Sequence, residues 1–406
     1  MEYKGIDYLR NRLVYKRRRV LIRYGYYDMK NVVYDFGIST PPDLRYFMGA
    51  LGWCGRAVDS LADRLVFRRF RDDLYDIQDI YDNNNPDIIF DSAITGALIS
   101  ACDFIYIRQD EDGYPRLQVI DGSNATGIMD PTTSLLTEGY AVLERNETGL
   151  PVKEAYFIAG QTAIYENNQI VEVISNAAEW PLLVPIVYRP DASRPFGHSR
   201  ISRACMSIMD SALRTIKRSE IAAEFFSYPQ KYVTGLANDA SRMDNWKATL
   251  ASMLAFTKDE DGDHPVVGQF QQQSMAPHAE QLRMFASLFA GETGMTLDDL
   301  GFVSQNPSSS EAIKASHETL RLIARKAQRD FSVGFINAGY VAACVRDDTA
   351  YTRNLLSVTT ARWAPLFEPD AAALAGIGDG LLKLSQVAPD YIDEEILEDL
   401  TGIYRA

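Results

Sequence analysis

The 406 residues include only four cysteines and four histidines, the side chains most often used for metal and redox chemistry. Cys54, Cys102, Cys205 and Cys344 are scattered, with no pair at metal-ligand or redox spacing. This excludes a disulfide framework and points to a reducing compartment. His198, His264, His278 and His317 are equally dispersed, so no metal and no cofactor is expected. Long apolar runs are also missing. The most apolar stretch, 88–107, is broken by Asp91 and Asp103 and cannot cross a bilayer. The first twenty residues carry charge throughout and have no apolar signal core, so a protein soluble and intracellular at synthesis is expected, with no membrane partner. Catalytic motifs are lacking too: there is no phosphate-binding glycine loop with its lysine, no GxGxxG after a strand, no HExxH and no GxSxG. Asp72-Asp73 and Glu394-Glu395 are adjacent acids that read as solvated helix faces, since neighbours in a helix diverge. His198, in PFGHSR, has no accompanying nucleophile, and His317 reads as a mid-helix residue that packs or pairs locally. An assembly role rather than catalysis is the reading these absences favour.

What is present is ordinary globular material: 46% apolar and 24% charged residues, enough for two or three domains. The formal net charge is -14. A protein that grips nucleic acid usually carries the opposite sign, because neutralising phosphate supplies most of that affinity. If DNA is a partner, an acidic surface lets it slide past. The same charge can equally serve solubility alone.

Residues 5–27 read as a helix with a basic run, Lys16-Arg17-Arg18-Arg19, which is either a solvated face or a partner contact. After Pro41-Pro42, Asp43 can cap a second helix, with Phe47, Leu51, Cys54, Val58, Leu61 and Leu65 at helical spacing. Residues 87–101 suggest another. Seven short β-branched or aromatic-rich segments follow, separated by turns such as Asp112-Gly113 and Asn167-Asn168. Residues 103–190 therefore predict a mostly antiparallel sheet packed on the preceding helices. A helical period returns at 200, with Ile201, Cys205, Ile208, Ala212 and Ile216 on one stripe and Arg214, Lys217 and Arg218 opposite. Pro229 follows that helix, and the segments KYVTG and VVGQF (266–270) read as strands bounding an insert with Trp246 and an acidic loop, Lys258-Asp259-Glu260-Asp261-Gly262-Asp263. A helix over 277–293 leads into an uncharged stretch, Phe302-Val303-Ser304-Gln305-Asn306-Pro307-Ser308-Ser309-Ser310. Ser309 or Ser310 can cap a long helix to about 345, with Lys314 one turn in. The segment LLSVTT reads as a strand, and acidic helices cover about 369–404.

The order of these blocks resembles the portal proteins of tailed double-stranded-DNA bacteriophages. PFGHSRISRACMSIMDSALRTIKRSEIAAEFFSYPQKYVTGL has that family's Pro-Phe-Gly turn, long helix with a central aspartate and aromatic-proline strand. VGQF, PHAEQLRMFASLFAGETGMTLDDLG and NPSSSEAIKASHETLRLIARKAQRDF follow in the same order, AVDSLADRLVFRRF looks like the family's opening segment, and RWAPLFEPDAAALAGIGDGLLKL like its C-terminal one. The resemblance covers nearly the whole chain and is carried by this colinear set rather than by one motif.

The resemblance implies an α+β fold: a mixed wing (1–199), a first stem helix (200–227), a small α/β clip (228–273) and a second stem helix (274–300). A tunnel loop facing DNA (301–310), a long kinked wing helix with a return strand (311–365) and a short helical crown (366–406) complete it. It also implies a homo-oligomeric ring of twelve at one capsid vertex, traversed by double-stranded DNA, with assembly in the host cytoplasm and residence in the virion. The packaging terminase, which supplies ATP hydrolysis, the major capsid or scaffolding protein, and a tail or head-completion adaptor would be its partners. The tunnel loop, Phe302 to Ser310, would make transient DNA contacts. Arg214, Lys217, Arg218 and Lys314 would line the channel or pair with a neighbour's acids. Lys258, Asp259, Glu260, Asp261 and Asp263 would form the clip's docking loop. With about 40 residues after Trp363, neither a large crown nor an extended C-terminal barrel is expected. The competing readings are another head-assembly protein and a nucleic-acid-processing enzyme with an unrecognised site.

Overall fold

A computed structural model describes residues 3–34, 49–227, 231–234, 266–269, 274–302, 310–366, 371–389 and 394–403. The helices are α1 (Ile6–Tyr27), α2 (Trp53–Ala62), α3 (Ile77–Asp82), α4 (Pro86–Ser100), α5 (Arg203–Ser227), α6 (Ala276–Thr293), α7 (Ser310–Ser316), α8 (Glu318–Arg346), α9 (Ala371–Val387) and α10 (Glu394–Thr401). The strands are β1 (Phe67–Arg71), β2 (Cys102–Gln109), β3 (Pro115–Ile120), β4 (Ala125–Met129), β5 (Leu136–Arg145), β6 (Pro151–Ile158), β7 (Gln161–Glu166), β8 (Gln169–Ser175), β9 (Leu183–Val187), β10 (Lys231–Thr234), β11 (Val266–Gln269) and β12 (Thr360–Trp363). Chain contacts gather into two units. One holds Met1–Asn31, Gly52–Met206 and Ala290–Ala406; the other holds Val32–Leu51 and Ser207–Phe289.

In the first unit the expected single sheet is two antiparallel sheets, ordered β3-β2-β9 and β4-β5-β6-β7-β8. Period-two alternation marks strands but not which sheet they join, and β4 was too short and small-residue-rich to register as a strand. Asn167 and Asn168 both sit at positive φ, 48° and 68°, which fits the tight hairpin between β7 and β8. The apolar run 88–107 divides between α4 and β2, turning at Ala101 (φ 91°). Every residue of β9 is buried, and Pro185 is tolerated there because β9 is the hydrogen-bonded edge of its sheet.

Helix α8 supplies much of the core. A Cβ on Gly334 would lie 2.8 Å from Ile186 Cδ1, and one on Gly339 would lie 3.0 Å from Ile77 Cβ, so these glycines let α8 approach β9 and α3 closely. Phe335 stands edge-on to Phe90 at 4.6 Å between ring centroids, Phe67 stacks on Phe90 at 4.0 Å, and Trp363 stands edge-on to Phe67 at 5.7 Å. Strands β1 and β12 pair antiparallel beside this cluster. The segment expected as strand LLSVTT forms a 3-10 turn over Arg353–Ser357, and the strand starts at Thr360.

Helix α2 is shorter than the pattern suggested: Leu51 precedes it, Gly52 caps it, and Phe47 lies outside the described residues. Asp72 and Asp73 are not on a helix. Asp72 has φ 51°, and the Asp73 carboxylate accepts the Ile77 and Gln78 N–H groups at 2.9 and 2.8 Å, capping α3. In the second unit β10 and β11 pair antiparallel, and the Thr215 hydroxyl on α5 donates to Gln281 on α6 at 3.1 Å. Trp246 and the acidic loop 258–263 lie outside the described residues.

Candidate functional site

The uncharged loop expected at 301–310 emerges from a built base within the first unit. After α6 the chain turns at Gly294 (φ 71°), where a Cβ would stand 2.9 Å from Ile323 Cδ1 and 3.0 Å from Thr319 Cγ2. Glycine answers both the left-handed backbone and the close approach of α8. Thr296 and Asp299 then form a reciprocal cap. The Asp299 carboxylate accepts the Thr296 N–H at 2.8 Å and its hydroxyl at 2.9 Å, while the Thr296 hydroxyl accepts the Asp299 N–H at 3.2 Å. This closes the 3-10 turn Asp298–Leu300. Gly301 (φ 89°) ends it, and the Phe302 N–H donates to the Leu297 carbonyl at 3.0 Å. Phe302 is half-buried, its ring edge-on to Trp53 at 6.5 Å.

On the far side the helix is not continuous. It breaks at His317 between α7 and α8. The Ile313 carbonyl accepts the His317 N–H at 3.3 Å and the Ser316 hydroxyl at 2.7 Å, and faces His317 Nδ1 at 2.9 Å. Side chains competing for a helical carbonyl bend the ladder there. His317 Nε2 reaches back to Asp299 at 3.3 Å, with both side chains largely covered. Burial works to raise the Asp299 pKa, but the Thr296 and His317 donors outweigh it and hold the carboxyl below its ordinary range. Asp299 and His317 thus pin the two ends of the segment 303–309 together.

A second tie supports this base. Arg200 is buried and donates from Nε to the Ala57 carbonyl at 3.2 Å and from Nη2 to the Thr293 carbonyl at 2.5 Å, meeting the C-terminal end of α6. The Ser202 hydroxyl donates to Glu292 at 2.8 Å.

The expected site residues are distributed unevenly. Of the loop, Phe302 stands at the base and Ser310 opens α7; Val303, Ser304, Gln305, Asn306, Pro307, Ser308 and Ser309 lie outside the described residues. Lys314 is exposed on α7. Arg214, Lys217 and Arg218 are half-buried on α5, in the second unit, and Arg214 donates to the Ser211 hydroxyl at 2.8 Å. Lys258, Asp259, Glu260, Asp261 and Asp263 lie outside the described residues.

The basic run on α1 divides. Lys16 turns inward over the Phe196 ring at 4.0 Å, and burial, with Arg12 beside it, brings its pKa down to about 8. Arg18 and Arg19 face outward. His198 pairs with Asp191 at 2.6 Å, and Asp191 also accepts from Ser193 and Arg194, so this imidazole orders a loop. Among the described residues no group of three or more His, Cys, Asp or Glu could hold a metal ion, and no helix is long and apolar enough to cross a membrane. Sequence reasoning missed Arg200 and Asp299. The spacing of Thr296 and Asp299, a capping pair ahead of a glycine, was the signal available for the latter.

No protein-family model matches the chain. Two curated proteins align with most of it. The portal protein of Mycobacterium phage L5 is 26% identical over 336 residues, 76% of this chain and 67% of that protein. The portal protein of Mycobacterium phage D29 is 25% identical over 323 residues, 73% of this chain and 65% of that protein. The chain thus spans about two thirds of the length of these relatives. Among solved structures, a chain from the neck of an empty gene transfer agent particle superposes with a TM-score of 0.47 at 13% identity, covering 91% of this chain and 96% of that one. The chain is therefore similar over most of its length to two phage portal proteins, in line with the resemblance its order of motifs carries.

Proposed function

We propose that the chain is a portal subunit: a structural, non-enzymatic component of a virion that assembles into a closed ring through one repeated head-to-tail contact. The observation that carries this reading is the alignment with two portal proteins over about three quarters of the chain. In this reading twelve copies stand at one capsid vertex, and DNA passes through during packaging and ejection. Terminase docks during packaging, the major capsid or scaffolding protein surrounds the ring, and tail or head-completion adaptors attach afterwards.

The loop 303–309 contacts DNA transiently. Its side chains carry no charge, and the Asp299–His317 contact joins the described residues on either side of it. Arg214, Lys217, Arg218 and Lys314 supply a sparse positive set that lines the channel or pairs with acids of a neighbouring copy. The loop 258–263 receives the adaptor.

The deciding experiment is the native mass of the purified chain by light scattering, with negative-stain imaging. Rings of about a dozen 45.5 kDa subunits around a central hole are expected. A compact dimer or tetramer would overturn the reading. Divalent-dependent nuclease activity in the same preparation would favour an enzyme instead.

A further inference from the structure

The most apolar stretch of the sequence carries a carboxylate that the fold buries. Asp103, in β2, is 2% exposed. Its Oδ1 accepts the Ser100 hydroxyl at 2.8 Å and the Gly122 N–H at 2.9 Å. Among the described residues nothing donates to its Oδ2, and no lysine or arginine forms an ion pair with the group. A Cβ on Gly96 would lie 1.8 Å from Oδ2, so this oxygen rests over the bare Cα of α4, where any side chain would displace it.

Asp103 and Gly96 lie at a cavity of about 680 Å³ bounded by α1, α4 and β3. Tyr24 and Tyr27 come from α1, Thr95 from α4, Asn84 from the turn before it, and Asp121 from the end of β3; Ile88 and Ile99 add apolar wall. Burial above all, then the charge of Asp121, raises the Asp103 pKa to about 8. Burial, then the negative field of Asp103 and Asp121, keeps the Tyr24 hydroxyl protonated far beyond its ordinary range. The cleft lining thus holds two carboxyl groups and, among the described residues, no lysine or arginine.

Oδ2 opens on this cleft rather than being sealed inside the protein, so a water, ion or ligand can reach and complete it. Two acids and two tyrosine rings select a positive ligand. Its shape follows from the acceptors. Oδ1 is already engaged by two donors, so only Oδ2 is open, which suits a compact ammonium rather than the two-pronged fork of a guanidinium. A metal ion would need more ligands than are gathered among the described residues.

We propose that this cleft binds an alkylammonium group, its nitrogen on Asp103 Oδ2 and its stem along Ile88 and Ile99. The group comes either from a free amine or from a lysine side chain of another protein molecule. Both present the same chemistry to the cleft.

The test is calorimetric titration of the full chain near neutral pH with n-butylamine, putrescine and n-butanol, in two buffers of different ionisation enthalpy. Both amines bind and the alcohol does not, and binding releases close to one proton, because the ammonium drives Asp103 to its charged form. Asp103→Asn weakens binding by at least about tenfold. Thr95→Leu, which fills the cleft without touching Asp103, does the same and guards against misfolding of the first variant. If putrescine also lowers the native mass of the assembly, the ligand in the virion is another molecule's lysine; if the mass is unchanged, it is a free amine. Absence of amine binding up to the millimolar range, equal binding of butanol, or unchanged binding by Asp103→Asn overturns the proposal and leaves Oδ2 to water.

Discussion

Helices α1 and α8 both lie against sheets, yet they are held by different forces. Helix α1 buries three of its 22 residues, Leu9, Leu13 and Val20, whereas α8 buries fifteen of 29. Ile6, Leu9 and Leu13 pack with Tyr140 and Val142 of β5, and placed polar contacts add to this apolar strip. Gly5 at its N-terminus has no side chain to cap it, so buried Glu138 of β5 does so, accepting the Lys4 and Gly5 N–H groups at 2.8 and 2.9 Å and the Tyr156 hydroxyl at 2.8 Å. Arg10 pairs with Glu154 of β6 at 2.7 Å, and Tyr140 also donates to Glu154. Helix α8 instead relies on small residues and aromatic rings that allow close approach. A basic helix can therefore be fixed to a sheet by a few placed carboxylates, while a core helix needs shape.

The comparison breaks most readily at α8. Phe335→Ala removes the ring that joins Phe90 and Trp363 and is expected to cost roughly 3–5 kcal/mol, read from the urea midpoint of the first unfolding transition. A loss under about 1 kcal/mol would show that shape is not what holds α8.

Glu138→Ala leaves the Lys4 and Gly5 N–H groups at the start of α1 and the Tyr156 hydroxyl without their acceptor and should cost roughly 2–3 kcal/mol. Hydrogen exchange sharpens the result: amides 5–9 lose protection while the buried half of α8 keeps its own. Uniform loss across both helices would mean that Glu138 supports the sheet rather than the helix.

The smallest effect belongs to Asp299→Ala, at about 1 kcal/mol for a lost cap. Here the sign of the pH dependence is diagnostic. The folded pKa of Asp299 lies below its unfolded value, so its stabilisation is present above about 4 and fades as pH falls through the folded value. Wild type and variant should therefore converge in urea midpoint below that pH. A constant gap would remove the carboxylate from the base of the loop.

Much of this architecture was legible along the chain. The helices over 6–27, 86–100, 203–227 and 276–293 follow from apolar spacing, and seven of the strands from alternation and turn residues. The failures have physical causes. Strand β1, FRRFR, has too few apolar residues to show a period, and its place beside β12 depends on Phe67 meeting Phe90 and Trp363 across the fold. The resemblance implied a kink in this helix but not its place, because helical spacing continues through His317; the break coincides with crowding at the Ile313 carbonyl. At the loop base, the uncharged composition of 303–309 was visible, but its closure by Asp299 and His317 joins residues separated by an entire loop.

The sequence by itself determined where the local elements begin and end, the apolar faces they must cover, and the order of motifs shared with portal proteins. Those features are written in spacing, capping residues and composition, which act over a few residues. Only the tertiary structure decided that β2 to β9 divide into two sheets, that Glu138 caps a helix 133 residues away, and that Asp103 is buried over Gly96 with one oxygen facing the cleft. Each of these depends on burial and on partners remote in the chain, and a carboxylate's surroundings, unlike its identity, are set by what folds against it.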